Sequence, residues 1–314
     1  MNVIVEREKG LLELEQRILD LRAHSADQPI DLTSEINALE AKYAQIQREV
    51  FGSMTPWQRV NMARHPKRPI GADYVAALDQ FDELHGDRHF RDDPAVLGGF
   101  AKLRGRRVMA IAQDKGRDVK EKVRRNFGMA TPEGYRKVKR LVELAAHLRL
   151  PVVTFIDTSG ADPGIGSEER AQSEAIAASL TALADAAVPI VASVIGEGGS
   201  GGALALALAD HVIMLEHSVY SVASPEGAAA ILWGDSSKAD EAAARLRLTS
   251  EDLVRFGIVD EVVPEPLGGA HRDAPGVIAR LFDAVETALV RLANEPGDRL
   301  LDQRYAKFRR IGAA

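Results

Sequence analysis

Residues 194–210 read VIGEGGSGGALALALAD, and their glycines satisfy three chemistries at once. Gly196, Gly198 and Gly201 make G-x-G-x-x-G, the turn that brings a backbone close to a dinucleotide pyrophosphate, and Glu216 stands twenty positions after Gly196, where a ribose-binding acid belongs. This is the NAD(P)-dependent oxidoreductase reading of residues 196–201. Gly198, Ser200 and Gly202 make G-x-S-x-G, which presents a nucleophilic serine when a strand runs straight into the turn. Gly196 and Glu197 stand between the expected strand and that motif, and its triad would have to be Ser200, Asp260 and His271, three residues of common type. A Walker loop is excluded because Gly202 replaces its lysine. The third reading needs no side chain: unpaired amides at a helix start, with the helix dipole behind them, favour a developing negative oxygen and make an oxyanion hole.

A second stretch of the same character precedes it. TFIDTSGADPGIGSEERAQSEAIA, residues 154–177, reads as a strand ending at Asp157, a loop with Gly160, Gly164 and Gly166, and a helix capped by Ser167 with Glu168 and Glu169 in its first turn. Two consecutive strand ends with glycine-rich loops aim amides at one spot, as ligand sites of open α/β sheets do. Residues 115–140 hold ten Lys and Arg against three Asp and Glu in a chain of net charge −6, so an anion is expected there. Phe127 and Tyr135 are its only aromatics, too few for a base-stacking platform, so nucleic acid is not the expected ligand. His85, Asp87 and His89 in HGDRH lie in a loop and read as surface residues, Glu216 and His217 as polar residues at a strand end. No metal site is expected in this chain.

The elements that must position these groups follow from periodicity. Ile4, Leu11, Leu14, Ile18 and Leu21, then Ile36, Leu39, Tyr43, Ile46 and Val50, form two apolar stripes separated by ADQPID, which predicts a helical hairpin packed on the body of the chain. VLGGFAKLRGRRVMAIAQ reads as a β-hairpin about Arg104-Gly105; PVVTFID, PIVASVIG and HVIMLE are short apolar strands alternating with helices. That order is a layered α/β core with crossover connections. LTSEDLVRFGIVDEVVPEPLGG supplies a capped helix and a last strand, and one amphipathic helix carrying Ile278, Leu281, Phe282, Val285 and Leu289 is expected to close the chain. With 314 residues, 46% of them hydrophobic, a large core is available. There is no cysteine for a disulfide or a thiolate zinc site. The N-terminal MNVIVEREKG does not read as a signal peptide and no apolar run reaches membrane length, which predicts a cytoplasmic protein.

Six segments together resemble a known family: RHPKRP (64–69), KGRDVKEKVRRNFGMATPEGYRK (115–137), FIDTSGADPGIGSEER (155–170), GEGGSGGALAL (196–206), YSVASPEGAAAILW (220–233) and VDEVVPEPLGGAHR (259–272). They look like the carboxyltransferase alpha subunit of bacterial and plastid acetyl-CoA carboxylase. The resemblance implies an α/β, crotonase-like (ClpP/crotonase) layered β-α superhelix with an N-terminal helical hairpin and a C-terminal helix. It divides the chain into an N-terminal helical region at 1–68, a carboxyltransferase core at 69–266 and a C-terminal loop and helices at 267–314. It implies transfer of CO2 from carboxybiotin on the biotin carboxyl carrier protein to acetyl-CoA, giving malonyl-CoA for fatty acid biosynthesis. The implied partners are a carboxyltransferase beta subunit in an α2β2 heterotetramer, the carrier and biotin carboxylase; zinc belongs to the beta subunit and ATP to the carboxylase step.

On this resemblance Gly201 and Gly202 would donate backbone N–H groups to the biotin ureido oxygen, with Gly160 and Ala161 lining the other side. Gly198 and Gly199 would meet the biotin or the coenzyme A thioester, and Arg124 and Arg125 would be anion contacts. The sequence departs from the family's common D-T-P-G-A-Y-P-G: Ser159 stands for the proline and Asp162 for the aromatic, which predicts a looser loop with an extra carboxylate.

Overall fold

The computed structural model describes residues 3–27 and 31–312. Its centre is one eight-stranded sheet: β1 (Gln80–Glu83), β2 (Val96–Leu103), β3 (Arg106–Gln113), β4 (Val152–Thr158), β5 (Ile190–Gly199), β6 (His211–Leu215), β7 (Val219–Ser221) and β8 (Glu261–Val263). The spatial order is β1-β2-β3-β4-β5-β6-β8, with β7 pairing β5 off this path. β2 and β3 form the expected hairpin, closed by Arg104 (φ 49°) and Gly105 (φ 78°). Both turn residues have positive φ, the twist that a two-residue hairpin needs. From β3 onward the pairs β3–β4, β4–β5, β5–β6 and β6–β8 are parallel.

The central strands are apolar throughout because both faces are covered. Successive side chains alternate across the sheet. Met109, Ile111, Val152, Ile156, Ile190 and Val194 therefore enter a core beneath the crossover helices Pro132–His147, Gln172–Asp185 and Ser200–Ala207. Val108, Ala110, Val153, Phe155, Val191 and Ile195 enter a second core with Leu281, Phe282 and Val285 of the helix Ala274–Leu292.

That helix does not end the chain as expected. Pro296, whose fixed φ and missing amide interrupt a helix, precedes another helix, Gly297–Arg310. Its Arg304 is buried, pairs with Asp210 through two contacts of 2.9 and 2.8 Å, and donates to the carbonyls of Leu183, Ala186 and Val188. One guanidinium thus satisfies the end of the helix Gln172–Asp185 and the loop leading into β5.

The N-terminal stripes form the helices Val3–Asp27 and Thr33–Phe51, while residues 28–30 of the breaker lie outside the described residues. Ile4 and Leu11 meet Phe51 and Met62, with Tyr43, Ile46 and Val50 packed around them. Polar bonds fasten the hairpin to the body: Glu8 to His65 and His271, Arg272 to Glu15 and Tyr43. Among the described residues no helix is long and apolar enough to cross a membrane.

Replacing Arg304 by Ala strands a buried Asp210 carboxylate and several helix-end carbonyls. Loss of one partner of a buried pair costs about 3–5 kcal/mol, so Arg304→Ala should lower the unfolding free energy by that amount in urea titrations.

Candidate active site

The site forms where β4 and β5 stop matching. They pair in register to Ile156↔Val194, and the next pair is Thr158↔Gly198, so two steps along β4 correspond to four along β5. The surplus residues bulge, and β5 leaves β6 after Val194↔Met214 to pair with β7 from Glu197↔Val219. A bulge removes ladder partners from backbone groups, and two side chains replace them here. Arg68 Nε donates to the Ile195 carbonyl at 2.8 Å, and the Glu197 amide donates to Asp157 Oδ1 at 2.9 Å. A Cβ on Gly196 would sit 2.5 Å from that same Asp157 oxygen, so only glycine admits the carboxylate.

Charge balances charge around the bulge. Lys115 Nζ lies 2.8 Å from Asp157 and 3.1 Å from Glu197. Arg64 holds Glu197 at 2.6 Å and Glu226 at 2.6 Å; Arg68 forks onto Glu265 at 2.9 and 2.5 Å. Burial alone would raise the Glu197 carboxyl, but Lys115 and Arg64 override it and hold the pKa at about 2. Burial would likewise lower the Lys115 ammonium, yet Asp157 and Glu197 raise it. Arg64, Arg68, Lys115, Asp157 and Glu197, with Ser159 and Phe127, line a cavity of about 310 Å³.

Past the bulge β5 continues to Gly199, and the helix Ser200–Ala207 begins without a side-chain cap. The strand runs on through Gly196 and Glu197 to Gly199 instead of stopping before the motif, with Glu197 paired to Val219 of β7. Ser200 therefore does stand on a strand-to-helix turn, at φ 53°, as an elbow serine would. It has no base. Asp260 accepts from the Val212 amide and from Lys307, while His271 bonds Glu8 and stacks on His65.

The two glycine loops meet. A Cβ on Gly199 would lie 2.1 Å from the Ser159 carbonyl oxygen, and one on Gly202 would lie 2.5 Å from Gly160 C and 2.6 Å from Ala161 N. Gly201 is different, since its nearest neighbour to a Cβ is Ile176 at 3.8 Å. The Gly202 carbonyl accepts from Gln113 Nε2 at 2.8 Å, which fixes the first turn from behind. On the open side Ser200 and Gly201 border a cavity of about 480 Å³ walled by Leu204, Tyr220, Val222 and Phe256.

Other expected residues take different places. The Gly160 amide is committed to Thr158 Oγ1 at 3.1 Å and lines the site without offering a donor. Gly198 pairs with Tyr220, whose ring would lie 2.9 Å from a Cβ, so Gly198 and Gly199 are glycines for packing. Arg125 is buried, 3.0 Å from Asp114 and bonded to the Pro94 carbonyl, and is not free for an external anion; Arg124 is exposed. Much of the basic stretch is spent likewise: Arg117 pairs with Asp73 and Lys137 with Asp92. The anion expected there is in large part the protein's own.

Asp162 tightens its loop instead of loosening it, accepting from Asn126 Nδ2 at 3.0 Å and from the Ser167 hydroxyl. Ser167 lies inside the short helix Ile165–Glu169 and does not cap the one after it. Glu216 accepts from the Glu265 amide at 3.0 Å, which ties it to the loop after β8 and not to a ribose.

Asp87 Oδ1 accepts from the His89, Phe90 and Arg91 amides, and His85 pairs with Asp92 at 3.0 Å. The HGDRH stretch is a turn built around Asp87, which is buried and not at the surface as expected. Glu8, His65 and His271 bring three ligand-type atoms within 4.8 Å. The imidazoles are stacked, with centroids 3.7 Å apart and an 18° interplanar angle, so their in-plane lone pairs run side by side and do not converge on one ion. They clasp the Glu8 carboxylate, one nitrogen to each oxygen.

The charged residues of the bulge escaped the sequence reading, which took Asp157 only as the end of a strand and gave Glu197 no role. Their signal was present: Lys115, Asp157 and Glu197 are ionisable residues ending or interrupting apolar strands.

The profile of the family described as acetyl co-enzyme A carboxylase carboxyltransferase-like matches residues 4–312. The chain is 50% identical to the acetyl-coenzyme A carboxylase carboxyl transferase subunit alpha of Sphingopyxis alaskensis, covering 100% of both chains. It is also 50% identical to the same subunit of a Geobacillus species, over 98% of this chain and 95% of the relative. Among solved structures it resembles transcarboxylase 12S (TM-score 0.58, 20% identity, covering 73% of this chain and 42% of the other). It also resembles a chain of a Pseudomonas malonate decarboxylase hetero-tetramer in complex with coenzyme A (TM-score 0.56, 18% identity, covering 69% and 89%). At these identities the structures show the fold alone, and that fold is the crotonase-like layered α/β arrangement the six motifs implied.

The contact between loops predicts unequal glycine variants. Gly202→Ala drives a methyl into the Gly160–Ala161 peptide, and overpacking of this kind costs about 1–3 kcal/mol. Gly201→Ala has room and should stay within about 1 kcal/mol of the parent. Urea unfolding of both variants measures the difference; equal losses would mean that the loops are not in contact.

Proposed function

This chain belongs to the acetyl-CoA carboxylase carboxyltransferase alpha family, and from that premise we propose that its glycine loops form the biotin-side half of a two-subunit carboxyl-transfer site. The reaction moves a carboxyl group from biotin to acetyl-CoA and yields malonyl-CoA. The biotin arrives as substrate on its carrier protein, and the beta subunit supplies the rest of the pocket. We assign the assembly as α2β2, with zinc in the beta subunit, ATP consumed only by the separate biotin carboxylase, and a cytoplasmic location.

The single observation that carries the reading is the seating of Gly202 against the Gly160–Ala161 peptide, which brings both loops to one point. The uncapped first turn of the helix Ser200–Ala207 has backbone N–H groups without an intrahelical partner, and Gly201 and Gly202 lie in it. When CO2 leaves the biotin nitrogen, the electron pair moves onto the ureido ring and negative charge grows on its oxygen. The two amides, backed by the helix dipole, would stabilise that charge. The bond that breaks is N–C; the acetyl methyl carbon gives its proton to the ureido nitrogen that the carboxyl group has left, and the carbanion so formed makes the new C–C bond to the carboxyl carbon. A Cβ-free Gly201 lets the oxygen approach, and the apolar cavity beside it suits the hydrocarbon arm of biotin. Arg124, exposed and on the same stretch as Lys115, is a contact for the anionic groups of coenzyme A or carrier. The helical hairpin at 1–50 and the helix at 276–295 would cover the subunit seam.

Two negative oxygens must be stabilised together, one on biotin and one on the acetyl thioester, and this chain offers one set of donors. The purified chain given carboxylated carrier and acetyl-CoA should therefore make no malonyl-CoA until a beta subunit is added. Full-rate transfer by the chain alone would refute the two-subunit reading, and none after the addition would refute the carboxyl-transfer assignment.

A further inference from the structure

We infer that Asp157 is a positioning residue for carboxyl transfer: by accepting the Glu197 amide inside the β5 bulge, it fixes the strand end from which Gly201 and Gly202 are presented. The inference rests on the functional reading above and adds to it the residue through which the donors are aimed.

The geometry is specific to one oxygen. Asp157 Oδ1 accepts the Glu197 amide at 2.9 Å and stands 2.8 Å from Lys115 Nζ. The same residue 197 is held by its side chain, which Lys115 and Arg64 grip at 3.1 and 2.6 Å. Residue 197 is thus anchored by both backbone and side chain, and it is the last residue with such an anchor before Gly198 and Gly199, which have no side chains. Asp157 also ends on the β4 side of the loop that carries Gly160 and Ala161, so one carboxylate ties the roots of both glycine loops together. Gly196 leaves the space that the carboxylate fills. Glycine there and aspartate opposite are two halves of one device.

Without the acceptor, the Glu197 amide is buried and unpaired, and the bulge must shift to expose or re-pair it. A displacement of about 1 Å at reacting groups costs on the order of 10²-fold in rate. A purely structural aspartate would instead change stability or assembly and leave the turnover of the assembled enzyme alone.

The test uses the assembled α/β enzyme and separates kcat from KM. Asp157→Ala should lower kcat by on the order of 10²-fold with the KM for acetyl-CoA unchanged within about twofold. Asp157→Asn keeps an oxygen for the Glu197 amide and should recover kcat to within about fivefold of the parent. If Asp157→Ala retains kcat within about threefold, or if Asn falls as far as Ala, the positioning role is overturned. Should Asp157→Ala fail to assemble, Gly196→Ala carries the test, because its methyl displaces the carboxylate while Asp157 remains: a matching kcat loss supports the role and unchanged kcat overturns it.

Hydrogen exchange on the chain alone reads the bond without any turnover. The Glu197 amide should exchange at least about tenfold faster in Gly196→Ala than in the parent, and equal rates would count against the inference. A parent enzyme inactive with its beta subunit would refute the functional reading, whereas an active parent with an indifferent Asp157→Ala refutes only this inference.

Discussion

A buried strand that gains residues relative to its parallel neighbour leaves backbone N–H and C=O groups without ladder partners, and each costs about 1–3 kcal/mol if unmet. The β5 bulge creates this problem beside the glycine loops, where β5 changes partner from β6 to β7. Arg68 and Asp157 answer it, one for the Ile195 carbonyl and one for the Glu197 amide. Each is itself charged and buried, so each needs a counter-charge, and the remaining ionic groups follow from that need. Glu265 serves Arg68; Lys115 serves Asp157 and Glu197; Arg64 completes the balance and reaches Glu226. The RHPKRP segment and the start of the basic stretch become intelligible as the support of a distorted strand.

The division of labour has an electrostatic logic. The charges that stabilise the bulge are paired, and Glu197 is held ionised far below neutrality. The groups assigned to the reaction are backbone amides, which carry no titratable proton and need no reorganisation when charge develops. A paired ionic frame with neutral dipoles at its tip keeps the local field fixed while substrate charge changes. Ser200 in the left-handed region is part of the same construction, because the turn that points the helix start at the neighbouring loop demands a positive φ at that residue.

Much of this was legible beforehand, for identifiable reasons. The central strands declared themselves because burial on both faces writes continuous apolar runs, and Arg104-Gly105 marked its hairpin. The two glycine loops were visible because close approach of backbones tolerates little else, as Gly199 and Gly202 show against residues 159–161. What stayed hidden depends on pairing between distant segments. Nothing local to Arg125 says that Asp114 will claim it, and nothing local to Asp162 says that Asn126 will. The register jump was hidden for the same reason, since it is a relation between two strands and a property of neither. The break before the last helix is readable in Pro296 alone, because the apolar face of the preceding helix ends just before it and periodicity carries no further.

The central claim is that backbone amides at the start of the helix Ser200–Ala207, aimed by the bulge, receive the biotin oxygen. A structure of this chain with its beta subunit and bound biotin tests it most directly, through the distances from the ureido oxygen to the Gly201 and Gly202 nitrogens. The account predicts a hydrogen-bond separation of about 2.7–3.2 Å to at least one of them, with the Asp157–Glu197 bond intact. A ureido oxygen bonded instead to the Ser200 hydroxyl or to Lys115, with both amides turned to other partners, would contradict it.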